Sequence, residues 1–327
     1  MVYPSQENPM PSRTLRIPLT ESEEDYFEVP VSPTDIYPHF KRFPANAIPQ
    51  HIYHYTSASG LYGILESGKI LATNFTFLND SKEGKVAIEF ADPLLLEKQN
   101  STQDQIESSL LTNVRKRILG EKAPEFHVAS FSSRSDMLSQ WRSYCPQGGY
   151  SLGIPLEHFQ LLSSPPGWEY FGVVPCAYGE LAQSDIGGVI DFYLNAFRRM
   201  RDKISDEERV RFSVKYWERR LLHHLQVESA VCKKAEFSAE DEWRLVLRAT
   251  SNGKPRPVQF RTTGSLVIPH VSFDLGDLRS GVEPVKIVVG PSPFQDVAYD
   301  GARILCDQFL GANGELSRST VSYRDLR

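Results

Sequence analysis

The stretch HIYHYTSASGLYGILESGKILATN, at positions 51 to 74, carries the clearest fold signal in the chain. His51, Tyr53 and Tyr55 alternate with Ile52 and His54, which predicts a strand. Ser57 is a good N-cap, because its hydroxyl can accept from the free amides of a first helical turn. Apolar residues then recur at helical spacing as far as Gly68, which is placed to end the helix in a left-handed conformation. The pattern predicts strand, short helix and second strand, and it leaves His54 without a local explanation.

The composition is that of an ordinary globular protein. The 327 residues are enough for one large domain or two smaller ones. The formal net charge of −5 gives no global attraction to nucleic acid. No apolar run approaches about eighteen residues, and the N-terminus is polar and proline-rich, so we expect neither a membrane span nor a signal peptide. The four cysteines form no CxxC pair, which argues against a zinc site and predicts a cytoplasmic protein without a metal.

The distribution of proline divides the chain in two. Nine of the twenty-two prolines fall in residues 1–50, which predicts a proline-rich extended N-terminal arm with little core of its own. Residues 51–327 predict a single α+β domain, because strands are interrupted by irregular helices. A helical insertion is expected at about 180–233, and it offers a surface for a homodimer.

Further elements follow from periodicity and from helix-start signals. Residues 84 to 119 predict two helices with a break at Pro93, and Ser205 with Glu208 predicts a capping box that opens the second long helix. A final helix is expected over 295–310 and a terminal strand over 319–324. The remaining strands are expected at 126–132, 150–154, 168–178, 243–249, 257–262, 265–273 and 285–290.

The stretch YHYTS, at positions 53 to 57, is the first that could carry chemistry. His54 offers one donor and one acceptor, with the hydroxyls of Thr56 and Ser57 beside it. This set suits a ribose hydroxyl or a carboxamide. The alternative is a packed histidine that bonds a backbone carbonyl, with Ser57 acting only as a cap.

The stretch SFSSRSDMLSQWRSY, at positions 130 to 144, is the second. Ser130, Ser132 and Ser133 lie at the end of a predicted strand, and Trp141 and Tyr144 follow on one helical face. Hydroxyls on one side and aromatic faces on the other suit a flat, polar-edged ring such as nicotinamide. The alternative is plain core packing of the two aromatic side chains.

The stretch EFSAEDEWRLVL, at positions 236 to 247, is the third. Glu240 and Glu242 share parity, so in an extended chain they face one way while Trp243 faces the core. A carboxylate at the lip of a sheet can bond a sugar hydroxyl and stabilise developing positive charge. The alternative is a solvated acidic turn paired with Arg244.

A fourth stretch, FLNDSKEG at positions 77 to 84, is mainly structural. Asp80 and Glu83 form a capping box, and Asn79 suits a turn or the lining of a cleft. A metal-dependent nuclease built on Asp80, Glu83 and Glu242 is a weaker alternative, because no E-x-K strand is present.

Taken in order, these stretches resemble a bacterial family catalogued as domain of unknown function 2971, over roughly residues 50 to 310. The family's motifs are matched at His54–Ser57, Ile64–Gly68, Leu78–Glu83, Ser130–Tyr144, Glu240–Arg244 and Val285–Pro291.

A more distant resemblance is to ADP-ribosyltransferase folds. It rests on the strand end at His54, on the serine-rich strand at Ser130 and on the late E-x-E that ends at Glu242. It implies a split β-sheet core with inserted long helices, NAD as substrate, and a cleaved nicotinamide–ribose bond. It places His54 on the adenosine-side ribose or the nicotinamide amide, and Glu242 beside the scissile bond. Four aromatic side chains compete for the nicotinamide ring: Tyr55, Tyr62, Trp141 and Tyr144.

The resemblance therefore predicts an NAD-dependent ADP-ribosyltransferase-like enzyme, acting as a toxin or in phage defence. Glu242 would stabilise an oxocarbenium-like ribose, and Glu240 would orient a protein or nucleic-acid acceptor. Two alternatives remain, which are an NAD hydrolase and a non-catalytic module of a defence system that binds a nucleotide or a protein.

Overall fold

A computed structural model describes residues 13–22, 24–31, 48–78, 84–120, 126–249, 258–263 and 265–321. Its strands are β1 (Arg13–Pro18), β2 (Tyr26–Val31), β3 (His51–Thr56), β4 (Lys69–Asn74), β5 (Phe126–Ser132), β6 (Tyr150–Pro155), β7 (Trp168–Pro175), β8 (Ala177–Tyr178), β9 (Cys232–Lys233), β10 (Glu242–Ala249), β11 (Gln259–Thr263), β12 (Leu266–Asp274), β13 (Val285–Val289) and β14 (Gly314–Arg318). Its α-helices are α1 (Ala58–Ser67), α2 (Val86–Ser101), α3 (Gln105–Gly120), α4 (Leu138–Tyr144), α5 (Glu180–Lys203), α6 (Glu207–Glu228) and α7 (Gln295–Phe309).

The opening stretch folds as its sequence predicts. The Ser57 hydroxyl accepts from the Gly60 amide at 3.2 Å and caps α1. Leu61 and its helical neighbours are buried, and Gly68 ends the helix at φ 64°. The helix is therefore bounded by the two signals that the sequence carries.

The main sheet is mixed, so the α+β class is confirmed. Its path runs β11-β12-β4-β5-β3-β6-β13-β14, and β10 pairs with both β5 and β7. All of these pairs are antiparallel except β13 with β14. The finer assignment to an ADP-ribosyltransferase-like fold stays a prediction.

One edge of β5 is split between two strands. β10 pairs along the whole of β5, so β3 and β4 share the opposite edge. β3 meets β5 at Ser132, near its end, whereas β4 meets it at His127 and Val128, near its start. The two strands diverge between these points, and the gap opens beside Ser130.

The helices form a second core together with the N-terminal hairpin. Helices α2, α3, α5 and α6 pack their apolar sides against one another, and β1 and β2 pair as a hairpin beside them. Ile17 and Val29 of that hairpin are 0% and 1% exposed. The expectation that residues 1–50 contribute little core is therefore corrected for residues 13–22 and 24–31. The apolar sides of α5 and α6 are covered within the chain, and the homodimer stays a prediction.

Three local expectations are wrong. Pro93 lies inside α2, because buried side chains on either side of it keep one apolar face continuous, and the helix ends at Ser101 instead. The N-cap of α6 is Asp206, whose carboxylate accepts from two amides of the first turn. Residues 319–321 are not in a strand, because the pairing of β14 with β13 ends at Arg318, and the rest of the expected strand, 322–324, lies outside the described residues. Within the described ranges, none of the helices has the length and apolarity that crossing a membrane requires.

Candidate functional site

A cavity of about 930 Å³ opens at the split in the sheet. The exposed side of β4, the start of α1, the middle of β5 and the start of β10 contribute to its walls. Its polar and charged lining includes His54, Thr56, Ser57, Lys69, Thr73, Ser130, Tyr144, Lys233, Glu240, Glu242, Arg244 and Arg261. Most of the site residues predicted from the sequence therefore converge on one cavity.

His54 lies at the split because β3 pairs with β5 only at Tyr53, the residue before it. Its Nδ1 is 2.9 Å from the Ser130 carbonyl oxygen, and a carbonyl only accepts, so Nδ1 carries the proton. Burial lowers the pKa of His54, although the hydrogen bond to Ser130 opposes the shift. The neutral ring therefore keeps Nε2 as an acceptor for a ligand hydroxyl or amide. The hydrogen bond to a backbone carbonyl is the one expected of a packed histidine. The position of His54 in the cavity wall is the one expected of a ligand-binding histidine.

Glu242 lies in a buried ion network with Lys233, Glu240 and Arg244. Its carboxylate accepts from the Lys233 ammonium at 2.7 Å and from the Arg244 Nε at 2.9 Å. Lys233 also contacts Glu240 at 2.5 Å, and Arg244 also donates to the Ala230 carbonyl at 2.8 Å. Burial alone raises the pKa of Glu242, but the charges of Arg244 and Lys233 outweigh it and hold the pKa at about 2. Glu242 is therefore ionised at neutral pH.

A turn, and not strand parity, brings the two glutamates together. Residues Ala235–Glu240 form a 3₁₀ helix, and Asp241 then adopts a left-handed conformation at φ 47°. Asp tolerates this region because its side chain can bond locally, and here the carboxylate accepts from the Ser133 hydroxyl. β10 begins only at Glu242, so the predicted extended geometry of Glu240 is corrected. Residues 235–241 of the turn are exposed or half-buried, and Glu242 pairs with Arg244, as the structural alternative predicted. Glu242 itself is buried at the start of β10.

Tyr144 is the predicted aromatic side chain that reaches the cavity with an open face. It is 44% exposed, and its partial burial, together with the nearby Glu242 and Glu240 charges, raises its pKa to about 12. Trp141 is 1% exposed and donates from Nε1 to Asp136 at 2.7 Å, so its expected role as a stacking ring is corrected. The sequence correctly placed Trp141 in a short helix, but it did not predict that the side chain is buried.

The hydroxyl groups of Tyr55 and Ser132 form hydrogen bonds within the protein. The Tyr55 hydroxyl donates to the Arg134 carbonyl at 2.9 Å and accepts from the Met137 amide at 2.9 Å. Ser132 is 1% exposed, and its hydroxyl donates to the Glu240 carbonyl at 3.0 Å. These contacts replace the expected hydrogen bonds to a ligand, although Tyr55 still contributes to the cavity wall.

The remaining predicted residues either line the cavity or lie outside the described part of the chain. Thr56, Ser57 and Ser130 line the cavity. The turn at Asn79, with Asp80 and Glu83, lies outside the described residues.

Sequence reasoning missed three of the four cations of the site, and Arg244 is the exception. Lys233 is 5% exposed and lies on β9, a two-residue strand that pairs in parallel with β8. Nothing in its local pattern distinguishes it from the adjacent Lys234. Lys69 and Arg261 come from β4 and β11, and long-range pairing through β12 brings them to the same cavity.

Residues 140–245 match the model of a family described as a protein of unknown function, DUF2971. The resemblance to this family is confirmed over that segment. The DUF2971 segment contains Tyr144, Lys233, Glu240, Glu242 and Arg244, so it supplies one wall of the cavity, whereas His54 lies outside it. No curated protein and no solved structure gives a significant match to the chain.

Proposed function

We propose that this chain is an NAD-dependent ADP-ribosyltransferase-like enzyme that cleaves the nicotinamide–ribose bond. The observation that supports it is the convergence of His54, Tyr144 and Glu242 on one cavity at the split in the sheet. These side chains come from widely separated stretches, and each suits a different part of the ligand. The role of toxin or phage-defence effector is part of the same proposal.

The reaction needs an anion beside the ribose more than it needs a base. When the C1′–N bond breaks, nicotinamide leaves with the bonding electron pair and C1′ becomes oxocarbenium-like. The ionised Glu242 carboxylate can accept from the ribose 2′-hydroxyl and stabilise that charge. An acceptor then attacks C1′ and loses a proton. With a pKa of about 2, Glu242 is too weak a base to take that proton, so Glu240 is the better candidate both to orient the acceptor and to receive its proton.

His54 and Tyr144 would hold the substrate. The Nε2 acceptor of His54 suits a ribose hydroxyl or the amide hydrogens of nicotinamide. The exposed ring of Tyr144 suits a flat heterocycle, since aromatic faces stack at about 1–3 kcal/mol for each base.

A second candidate is a non-catalytic module that binds a nucleotide. The observation that favours it is the pairing of both Glu242 carboxylate oxygens, which neutralises the charge that the reaction would use. NAD hydrolysis, with water as the acceptor, remains a variant of the leading proposal.

Calorimetric titration with NAD tests the shared basis of the proposals. His54→Ala and Tyr144→Leu should each weaken binding about tenfold, which corresponds to about 1.4 kcal/mol. Tyr62→Leu is the matched control, because Tyr62 is 46% exposed and bonds Glu66 of its own helix. Equal affinity in all variants, or no binding at millimolar NAD, contradicts the proposal. Binding without any nicotinamide release favours the non-catalytic module.

A further inference from the structure

The charges of the cavity are unevenly distributed. Among the described residues, its lining holds four cationic side chains, Lys69, Lys233, Arg244 and Arg261, and the carboxylates Glu240 and Glu242. The ion network pairs Lys233 and Arg244 with the two carboxylates at 2.5–3.1 Å. Within the described residues, Lys69 and Arg261 form no ion pair, so the lining carries two more cations than carboxylates, although the whole chain has a net charge of −5. A cleft with such a local excess concentrates anions.

The two remaining cations lie along one strip of the cavity. Lys69 and Thr73 stand on the exposed side of β4 with Leu71 between them, so the strip is about 13 Å long at 3.3 Å per residue. Arg261 reaches this strip from β11, where its NH2 group lies 3.4 Å from the Thr73 hydroxyl. Lys69 faces Asp274 in the strand register, and the Asp274 carboxylate keeps its negative charge there. The described residues show no ion pair between the two, and this carboxylate accepts from the Gly276 amide at 2.7 Å.

Apolar surface accompanies these charges. Leu71 and Phe77 are 40% and 41% exposed, and both line the cavity. Exposed apolar side chains next to exposed cations suit a ligand that has both a flat ring and an anionic group. Nucleotides combine these two features.

We infer that Lys69 and Arg261 form a subsite for the diphosphate of a nucleotide ligand. The planar guanidinium of Arg261 can donate two parallel hydrogen bonds to one phosphate, and the ammonium of Lys69 supplies a point charge for the other. The Thr73 hydroxyl supplies a further donor. In the frame of the proposed function, on which this assignment of the ligand rests, the diphosphate of NAD lies here and its nicotinamide ribose lies at the ion network.

Titration with inorganic diphosphate and with ADP-ribose tests the subsite without requiring turnover. Arg261→Gln and Lys69→Gln should each weaken the binding of both probes about tenfold, because each removes a charge-assisted contact. Arg261→Lys should fall between the wild type and Arg261→Gln. Arg303→Gln is the matched control, since it removes the same charge from an exposed position on α7 that does not line the cavity. Adenosine, which has no phosphate, should bind all variants equally.

The outcomes separate this inference from the proposed function. Equal affinity for diphosphate in the wild type and both cavity variants overturns the subsite, as does the absence of diphosphate binding at millimolar concentration. A subsite that behaves as expected, in a protein that releases no nicotinamide from NAD, supports this inference and contradicts the proposed function. Nicotinamide release that depends on Glu242 but not on Lys69 or Arg261 supports the proposed function and contradicts the diphosphate subsite.

Discussion

The Lys233 ammonium bridges Glu242 and Glu240, at 2.7 Å and 2.5 Å. Lys233 and Glu242 are 5% and 6% exposed, so their charges depend on one another and not on solvent. Arg244 completes the set from the same side of β10. The arrangement fixes the Glu242 carboxylate at the cavity wall before any ligand binds.

Removal of Lys233 should therefore be costly. We expect Lys233→Met to lower the free energy of unfolding by about 3–5 kcal/mol, because it leaves the buried Glu242 and the partly exposed Glu240 short of a partner. Lys98→Met is the control, since Lys98 pairs with the half-exposed Asp191 at 2.6 Å and should cost less than about 1 kcal/mol. Urea denaturation of both variants measures the difference. Equal losses would show that the network is not energetically coupled.

Asp136 ties the segment after β14 to α4. Its carboxylate accepts from Trp141 Nε1 at 2.7 Å, from the Ser319 hydroxyl at 2.5 Å and from the Thr320 amide at 2.8 Å. We expect Asp136→Ala to cost about 1–3 kcal/mol, because it leaves the buried indole donor unpaired. Asp300→Ala, at an exposed helix position, should leave the urea midpoint nearly unchanged. Similar midpoints for the two variants would contradict this assignment.

Gly290 is required by a close approach of the backbone. A Cβ at this position would lie 2.8 Å from the Trp141 ring and 2.9 Å from the Gly149 carbonyl oxygen. We expect Gly290→Ala to lower the free energy of unfolding by about 1–3 kcal/mol, because the well-packed neighbours have to move. Gly301→Ala, in α7 with no atom within 4 Å of the added Cβ, should instead stabilise the protein by about 0.5–1 kcal/mol. Thermal unfolding of the two variants gives the sign of each change, and destabilisation by Gly301→Ala or none by Gly290→Ala would be inconsistent with the packing.

Acid should destabilise the protein in two stages. Burial, with the charge of His270, lowers the pKa of His127 from 6.5 to about 4. The unfolded chain therefore takes up a proton near pH 6.5 that the folded chain refuses until about pH 4, and stability falls as the pH drops through this window. Glu242, with a folded pKa of about 2 against 4.5, adds a loss between about pH 4.5 and 2.

Burial and the charge of Arg248 also lower the pKa of His223, to about 3, so two histidines contribute to the first stage. The contribution of His127 can be isolated with one variant. His127 is fully buried, and neither ring nitrogen has a hydrogen-bond partner in the described part of the chain. His127→Phe should keep the packing against Trp168 and remove the proton uptake. The free energy of unfolding, measured by urea between pH 7 and pH 4, should therefore fall less steeply than in the wild type. An unchanged slope would assign the acid loss to other groups.

The local signals in the sequence predicted the elements well where one residue type decides the outcome. Ser57 and Gly68 bound α1, and the buried Ile106, Leu110, Val114 and Ile118 follow the spacing that predicted α3. The prediction failed at Pro93, because the loss of one backbone hydrogen bond is smaller than the gain from a continuous buried face.

The site was predictable only in part. Local sequence patterns pointed to His54, Tyr144 and Glu242. The burial of Trp141 and the contacts of Lys233 with the two glutamates depend instead on pairing between distant strands. Arg261 reaches Thr73 across β12. Such contacts follow from the register of the sheet, which periodicity within one stretch does not encode.

Nicotinamide release from NAD, followed by proton NMR, is the most direct test of the central proposal. The wild type should release nicotinamide, and Glu242→Gln should lose at least about a hundredfold in rate, as expected when a transition-state charge loses its partner. Lys233→Met is the companion, because it disturbs the same network but keeps the carboxylate, and it should retain more activity than Glu242→Gln. Glu242→Gln should also lose stability, because it removes the carboxylate that Lys233 and Arg244 share. Loss of release in Glu242→Gln but not in Lys233→Met, at a temperature at which circular dichroism shows both variants folded, is the predicted result. Release at the same rate in Glu242→Gln and the wild type, or no release by a wild type that binds NAD, would contradict the account.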